Sequence, residues 1–356
     1  MTVSIRVACS PGEAQVAVVE GRRLLDFALW RPGAPDGVGD VHRGRVIAAV
    51  PAMAGAFVAL ADAEGFLPDS EGAKGLTAGT ILTVRVTRAA QGSKGPRLSA
   101  RVEAAAGPVA LIRRGPDPVA RFSAHYPGAP VVADDARMAA ALRAMVASPA
   151  FDEDVAEAIE ALSRPQVALA GGATLSIWPT PALVAIDVDA GASLAGRGGH
   201  QAVNRAVLPA VAEQIRLRNL SGAIVVDLAG LSPRKRAAMG PDFAAALAGD
   251  PLRARFLGFT ALGLAEIVRS RVHPPLHELL AGPLAAGCAA LRAVMAAFDG
   301  DPRALPAVRA HPAVVSALQA DPVALPDLVR RTGREVRLRS DPSMPATAWV
   351  LEKDHG

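Results

Sequence analysis

Cysteine is nearly absent from this 356-residue chain, which holds only Cys9 and Cys288. Two thiols so far apart exclude a disulfide framework and any all-cysteine zinc site within one chain. Free cysteines most often behave as small buried hydrophobes, and we interpret both in that way. A chain without a disulfide framework fits a reducing compartment, so we expect a cytoplasmic protein.

Long apolar runs are also missing. The longest covers residues 46–61, is interrupted by Pro51 and Gly55, and is shorter than the roughly 20 residues needed to cross a bilayer. The first residues alternate like a strand and lack the basic start and apolar centre of a signal peptide. We therefore predict neither a membrane span nor secretion.

The composition is that of a globular protein. With 51% hydrophobic and 20% charged residues, the chain can bury a sizeable core and is long enough for two or three units. The formal net charge of +4 favours anionic partners but is too small to identify nucleic acid by itself.

The pattern of apolar residues predicts a multidomain α/β (α+β) protein. Residues 3–30 are typical of paired strands, and residues 40–105 contain five short strands that suggest a small OB-type barrel. Such barrels bind single strands by stacking bases on aromatics beside a basic groove. Phe57, Phe66 and Lys94 are the candidates for that face; the alternatives are core packing for the two phenylalanines and a solvated loop charge for Lys94.

The second half of the chain alternates strands and helices. Residues 182–188 are apolar apart from Asp187, which predicts a strand covered on both faces. Helical periodicity follows over residues 204–217, then a strand after Gly222, then a strand at 256–260 and a helix from Leu264 to about Val272. Residues 305–339 repeat an α/β pattern.

Carboxylates end two of these strands. Asp187 and Asp189 end the first, and Asp227 ends a second strand 40 residues after Asp187. Side chains at the carboxyl ends of neighbouring strands can converge on one divalent ion, for which oxygen ligands are suited. The alternative is that each aspartate caps the following turn.

Basic and glycine-rich segments follow both acidic strands. Residues 191–199 are rich in Gly and contain Arg197, so they could meet a phosphate through backbone amides and charge; a plain flexible loop explains them equally well. Ser232 before Pro233 predicts a capped helix start. Arg234, Lys235 and Arg236 would lie on its first turns, either binding RNA or forming a solvated basic face.

Several segments resemble the ribonuclease E/G family, in the family's order and over nearly the whole chain. Residues 185–192, 214–227 and 260–271 resemble its core. Residues 44–68 and 92–97 resemble the S1 RNA-binding module that the family inserts in its N-terminal sheet. Residues 309–313 and 333–343 resemble its small C-terminal region.

The resemblance implies an endoribonuclease specific for single-stranded RNA that uses Mg²⁺, with Mn²⁺ as a second candidate. It implies ribonuclease H-like and DNase I-like mixed sheets around an S1-type OB-fold barrel. By position, Asp187 and Asp227 match the family's two metal-ligand aspartates, and Asp189 stands where the family has asparagine. Phe57, Phe66 and Lys94 match positions that hold RNA.

Four departures from the family bear on function. Asp189 replaces a neutral amide, which could tighten metal binding or raise the pKa of a neighbouring aspartate. Residues 106–165 are far shorter than in the family and lack its Arg-Thr motif, so selectivity for 5′-monophosphorylated RNA should be weak. The zinc-link cysteines after Leu280 are missing, which argues against structural zinc and a zinc-linked dimer. Gly230 replaces a second acid.

The resemblance also implies domain boundaries. Residues 1–35 would begin the ribonuclease H-like sheet, 36–105 form the S1-type barrel, 106–180 hold the shortened sensor region and complete the first sheet, 181–280 form the catalytic subdomain, and 281–356 form the small C-terminal region. Two other functions remain open: an RNA-binding protein that has lost its nuclease activity, and a polysaccharide hydrolase using a carboxylate pair.

Overall fold

The computed structural model describes residues 2–191, 199–301 and 306–353, and its strands form four sheets. The predicted phosphate-binding residue Arg197 lies outside the described residues. Within the described ranges, none of the helices is both long and apolar enough to span a membrane.

The first sheet has the strand order β11-β10-β1-β2-β3. Its strands are β1 (Val3–Ser10), β2 (Glu13–Glu20), β3 (Arg23–Trp30), β10 (Val131–Ala133) and β11 (Met145–Val146). Helices α1 (Pro118–His125) and α2 (Ala136–Leu142) pack on one face, and α3 (Glu153–Ala161) packs on the other. Both faces of this sheet are therefore covered by helices.

A five-stranded barrel follows, as the sequence predicts. Strands β4 (Val41–Val50), β5 (Gly55–Ala59), β6 (Glu64–Pro68), β8 (Arg97–Ser99) and β7 (Ile81–Arg88) pair in that order. The barrel closes because β7 pairs again with β4, and β6 and β8 are parallel. A further strand, β9 (Ala110–Arg113), adds to β4. The OB-like barrel is confirmed.

A short segment joins the barrel to helix α1. Only residues 114–117 separate β9 from α1. Arg114 and the backbone amide of Gly115 both donate to the buried Asp40 carboxylate, at 2.7 and 2.6 Å. A side chain on Gly115 would meet the backbone of Val38 and Gly39, with a closest approach of 2.1 Å. The link is therefore packed tightly against the start of β4.

The central sheet has the order β12-β13-β14-β15-β17-β16. Its strands are β12 (Gln166–Ala168), β13 (Thr174–Pro179), β14 (Val184–Asp189), β15 (Gly222–Asp227), β16 (Arg255–Phe259) and β17 (Ala265–Arg269). Helices α4 (Gly199–Leu217), α5 (Pro233–Ala237) and α6 (Gly240–Leu247) connect them. The core against α4 and α6 contains the buried side chains Ile186, Ile224, Val226, Val211 and Phe243.

Only one face of the central sheet is covered by described elements. In β14, Ile186 and Val188 are buried while Asp187 and Asp189 are exposed; in β15, Ile224 and Val226 are buried while Asp227 is exposed. The prediction that residues 182–188 are covered on both faces was wrong. Ala185 lies on the second face between the buried Val184 and Ile186, so an alternating strand looks continuously apolar there. We call this second face the open face.

The helix predicted from Leu264 to about Val272 was also wrong. Residues Ala265–Arg269 form strand β17, which pairs antiparallel with both β15 and β16. Ala265, Ile267 and Arg269 are buried while Glu266 is exposed, which is the period of two of a strand. Pairing on both sides decides the conformation of so short an apolar segment.

The C-terminal region forms its own small α/β layer. Helices α7 (Leu276–Leu279), α8 (Pro283–Gly300), α9 (Pro312–Ala320) and α10 (Ala324–Thr332) surround strands β19 (Arg337–Ser340), β18 (Pro306–Ala310) and β20 (Trp349–Lys353). The sequence predicted β18, β19, α9 and α10 but not β20. Buried Glu13 binds Arg31 and Arg292 at 2.7 and 2.6 Å, so charge pairing ties α8 to the first sheet.

The one-sided sheet can be tested with two neighbouring residues of β15. Ile224 is 1% exposed in the core, whereas Val225 points to the open face and is half-buried. Ile224→Ala should lower the free energy of unfolding by about 2–5 kcal/mol, and Val225→Ala by about 1 kcal/mol or less. Urea denaturation measures both. Equal losses would mean that the second face is also packed.

Candidate active site

Asp187 and Asp227 lie side by side on the open face. β14 and β15 are parallel, and their register pairs Asp187 with Asp227. Neighbouring strands are about 4.8 Å apart, and paired residues of parallel strands point to the same face. Both carboxylates are exposed. The structure thus brings the two predicted metal ligands together at the carboxyl ends of the strands.

The charges of this group affect one another. Desolvation, followed by the negative charges of Asp227 and Asp189, raises the pKa of Asp187 above its ordinary value. A cation between the carboxylates would oppose that repulsion. The raised pKa of Asp187 therefore reflects desolvation first and the two neighbouring negative charges second.

Asp189 is engaged in the turn that follows β14. One of its carboxylate oxygens accepts a hydrogen bond from the backbone amide of Gly191 at 2.9 Å. This is the local turn chemistry typical of aspartate. Asp189 lies on the open face two residues beyond Asp187, so it contributes charge to the site while one oxygen holds the turn.

The donor set fits a hard cation that keeps most of its water. Over the described ranges, no cluster of three or more His, Cys, Asp or Glu side chains is arranged to hold a metal. Asp187 and Asp227 can supply two oxygen ligands from an exposed position. Mg²⁺ is typically bound by one or two carboxylates with several waters, so the residues present suit it better than zinc, which prefers a closed tetrahedral set.

A buried amide, which no sequence pattern singled out, fixes the loop after Asp227. The Asn204 side chain in α4 is 0% exposed. It donates to the carbonyls of His200 and Ala229, both at 2.7 Å, and accepts from the Ala229 amide at 3.1 Å. A side chain at Gly230, which has a φ of +45°, would lie 2.7 Å from the His200 ring. The loop is clamped to α4 two and three residues past Asp227.

The basic residues after Asp227 lie in different environments. Arg234 and Lys235 are exposed on α5, whereas Arg236 is partly buried, and its guanidinium lies over Gly263 in the turn between β16 and β17. Ser232 is the N-cap residue and Pro233 opens the helix, as predicted, although the Ser232 side chain forms no capping hydrogen bond. Arg234 and Lys235 are thus available to a ligand at the acidic end of the sheet.

Phe57 and Phe66 form a pair on the outside of the barrel. They face each other across β5 and β6, with ring centroids 5.5 Å apart at an interplanar angle of 65°. Neither belongs to the barrel core. A side chain at Gly55 would meet the Phe66 ring at 2.5 Å, so a glycine makes room for it. This position excludes core packing as the reason for either phenylalanine.

Lys94 lies in a tight turn next to that pair. Gln91 and Lys94 exchange backbone hydrogen bonds of 2.8 and 2.9 Å, and Phe66 donates to the Pro96 carbonyl at 2.9 Å. Lys94 is exposed and is only two residues from Pro96. The turn that holds Lys94 is therefore joined, through Pro96, to the strand that carries Phe66.

Two further arginines extend this barrel surface. Arg97 pairs with Phe66 across β8 and β6, and Arg88 faces Arg97 across β7 and β8. Desolvation and the positive charges of Arg97 and Arg271 lower the pKa of Arg88. Like charges gathered in this way form a focused positive patch. Strand alternation in the sequence did not identify them, because register decides which residues flank Phe66.

The barrel and the carboxylates lie toward opposite ends of the central sheet. The amide of Ala89 donates to the carbonyl of Val272 at 2.9 Å, just beyond the end of β17. Gly222 at the start of β15 pairs with Arg269 of β17. Asp227 is five residues further along β15, or roughly 17 Å at about 3.3 Å per residue. A ligand that touches both regions must be extended.

The open face between these regions carries three residues that the sequence pattern did not single out: Trp178, Glu266 and Arg255. Trp178 of β13 pairs with Ala185 of β14, and Ala185 pairs with Val225 of β15. Val225 in turn pairs with Glu266 of β17, so Trp178 and Glu266 lie in one row across the sheet. Arg255 pairs with Val268 nearer the barrel end. Period-two alternation from Ser176, the partner of Asp187, would have placed Trp178 on the same face as the acids.

Comparisons with known proteins cover this part of the chain. Residues 135–272 match a family described as the Ribonuclease E/G family. Ribonuclease E of Nostoc sp. (strain PCC 7120) is 34% identical over 126 residues, which are 34% of this chain and 18% of that protein. Ribonuclease G of Escherichia coli (strain K12) is 31% identical over 137 residues, covering 37% and 28%.

A chloroplastic relative gives the same result. The Ribonuclease E/G-like protein of Arabidopsis thaliana is 32% identical over 142 residues, which are 38% of this chain and 14% of that protein. The chain thus matches less than a third of the length of each of these relatives. The matched family segment contains both acidic strands and Asn204, but neither the barrel nor the C-terminal layer.

Asn204 should be needed to hold the loop after Asp227. Asn204→Ala removes three hydrogen bonds and leaves buried backbone groups unpaired, so the free energy of unfolding should fall by about 1–3 kcal/mol. Chemical denaturation measures the loss. Gln201→Ala, on the same helix but only half-buried, should change stability by less than about 0.5 kcal/mol; equal losses would contradict the clamp.

The charge of Asp189 should act on Asp187. Asp189→Asn removes one of the negative charges that raise the pKa of Asp187, so the Asp187 carboxyl should titrate at lower pH in the variant. Carboxyl-carbon NMR titration of the metal-free protein gives both values. The Asp242→Asn variant on α6 serves as a distant control and should leave the Asp187 titration unchanged. An unchanged or higher pKa in Asp189→Asn would contradict the coupling.

Proposed function

We propose that this chain, whose residues 135–272 match the Ribonuclease E/G family, is a metal-dependent endoribonuclease that cleaves single-stranded RNA. The in-register pairing of Asp187 with Asp227 on an open sheet face is the observation that carries the proposal. Carboxylates that are exposed and adjacent can bind one cation and, through it, a phosphodiester. Buried or separated ones could not.

The protein's own residues prepare this reaction. Asp187 and Asp227 would hold Mg²⁺, and Asp189 adds negative charge while its turn to Gly191 fixes the end of β14. Asn204 fixes the loop after Asp227. A bound Mg²⁺ supplies Lewis-acid polarisation of the phosphate and lowers the pKa of a coordinated water. Arg234 and Lys235 would attract RNA phosphates to this end of the sheet.

The barrel would bind RNA at a distance from the cleavage site. Phe57 and Phe66 present rings on the outer surface, Lys94 lies beside them, and Arg97 and Arg88 extend the positive charge. Aromatic platforms beside basic side chains suit single strands of any sequence. We propose that this surface holds one part of the RNA while another part reaches Asp187 and Asp227.

The detailed fold assignment is also a proposal. The first sheet has three antiparallel strands followed by two parallel ones, which supports a ribonuclease H-like sheet begun by residues 1–35 and completed within 106–180. The mixed central sheet supports a DNase I-like catalytic subdomain at 181–280. The barrel of 36–105 and the small region of 281–356 complete the arrangement.

Removing either carboxylate should abolish cleavage. Asp187→Asn and Asp227→Asn each lose charge that a divalent cation needs, so the rate on a labelled A/U-rich single-stranded RNA should fall by at least about 100-fold. EDTA should stop the parent protein, and added Mg²⁺ should restore it. Gel analysis of the products measures the rate.

A surface aspartate gives the matched control. Asp242 on α6 pairs with Arg205 at 2.9 Å and lies on the covered side of the sheet, so Asp242→Asn should cut RNA at the parent rate. Circular dichroism should show all three variants folded. Unchanged cleavage by Asp187→Asn and Asp227→Asn would overturn the nuclease proposal.

One observation favours a second function. Over the described part of the chain, no group of three or more His, Cys, Asp or Glu side chains is arranged to hold a metal ion. An RNA-binding protein without nuclease activity would keep the barrel surface and tolerate a weak metal site. Tight RNA binding by the parent protein without cleavage under Mg²⁺ or Mn²⁺ would establish this alternative.

A further inference from the structure

Trp178 is an exposed aromatic next to the carboxylate pair. Its side chain is 54% exposed, although tryptophan is usually well buried in folded proteins. It lies in β13, whose other face contributes Leu175 and Ile177 to the core at 0% and 1% exposure. Alternation therefore forces Trp178 onto the open face, and the chain places a large apolar ring there rather than a polar residue.

The sheet register fixes its distance from the acids. Ser176 pairs with Asp187, and Trp178 pairs with Ala185. Two residues along a strand correspond to about 6.6 Å, so Trp178 lies one same-face position from the level of Asp187 and Asp227. Its cross-strand neighbour is alanine, which leaves space beside the ring. A phosphate at the carboxylates would bring an attached nucleotide within reach of Trp178.

The direction along the sheet agrees with the barrel. From the carboxylates, Trp178 and Ala185 lie toward the end where Gly222 pairs with Arg269. The barrel is attached at that end through Ala89 and Val272. A single strand running from the carboxylates to the Phe57–Phe66 pair would therefore pass the level of Trp178. Arg255 lies on the same face further along and can attract its phosphates.

The chemistry of the open face favours RNA over a second copy of this chain. A protein partner seated on Trp178 would also cover Asp187 and Asp227, and burying two unpaired carboxylates is costly. Glu266, in the same cross-strand row, adds to that cost. A single strand with its cations can compensate the charge and offers flat bases that stack on an indole ring.

We propose that Trp178 is the stacking platform for the base next to the phosphate held at Asp187 and Asp227, on the side that leads to the barrel. The inference rests on the proposed function and deepens it. Trp178 contacts substrate without taking part in the chemistry, so it sets the position and base preference of cleavage. A larger, flatter base should be held better at this position than a small one.

Binding without cleavage tests the stacking directly. The full chain carrying Asp227→Asn is titrated in EDTA against a fluorescent ten-nucleotide A/U-rich RNA, with and without Trp178→Ala or Trp178→Phe. Trp178→Ala should weaken binding about 10-fold or more, and Trp178→Phe by about 3-fold or less, because a phenyl ring still stacks. Leu262→Ala, at a side chain 85% exposed in the β16–β17 turn, should leave affinity unchanged.

Abasic RNAs locate the contact. Each RNA of a series lacks the base at one position. The protein that keeps Trp178 should bind one of these RNAs more weakly than the intact RNA, and Trp178→Ala should erase that difference. Equal affinities of the Trp178 and Trp178→Ala proteins would overturn the proposal, and so would an abasic effect that persists without the ring. A dimer of the parent that Trp178→Ala dissociates, with RNA affinity unchanged, would assign the face to a second copy instead.

The two proposals fail in different ways. If the parent protein cuts RNA but Trp178→Ala keeps the same affinity, KM and cleavage position, only the stacking role is overturned. If the parent protein never cuts RNA while the tryptophan and abasic effects hold, only the nuclease assignment fails. Binding of glucan oligosaccharides in place of RNA would overturn both.

Discussion

The parallel, in-register pairing of β14 with β15 is the constraint on which the site depends. Ile186 and Val226 lie side by side in the core, so the next residues, Asp187 and Asp227, must turn together to the opposite face. A slip of one residue would move one carboxylate into the apolar core, where an unpaired charge is costly. The free energy that packs α4 on this sheet therefore also holds two like charges together.

The uncovered second face leaves the paired carboxylates accessible to a ligand. All-parallel sheets are covered on both faces, whereas sheets with antiparallel pairs can leave one face to solvent; the first sheet of this chain is covered on both faces. The central sheet instead presents carboxylates, small residues and Trp178 to solvent, while the barrel is attached near its far end. A flat surface with acids at one end and a basic, aromatic barrel beyond the other suits a long, flexible, anionic ligand.

Parts of the fold followed directly from the sequence because local rules decided them. The barrel strands were predictable from alternation and turns, and the acidic strand ends were predictable from two apolar runs that stop at carboxylates. Two errors share a cause. The local pattern predicts a helix for the segment containing Ile267 and predicts covering on both faces for residues 182–188. In both cases a short run rich in small apolar residues fits more than one pattern, and the neighbouring strands choose between them.

The amino-acid order alone determined which residues could carry chemistry: Asp187 and Asp227 at strand ends, Phe57 and Phe66 in the barrel, and a chain without the cysteines for a zinc link. Only the tertiary structure decided which of them meet. Register placed Asp187 beside Asp227, moved Trp178 onto their face and set Arg97 beside Phe66, while Asn204 became a clamp because α4 packs beside the loop after Asp227. Such contacts join residues distant along the chain, and their geometry follows from strand pairing and core packing, which no local pattern encodes.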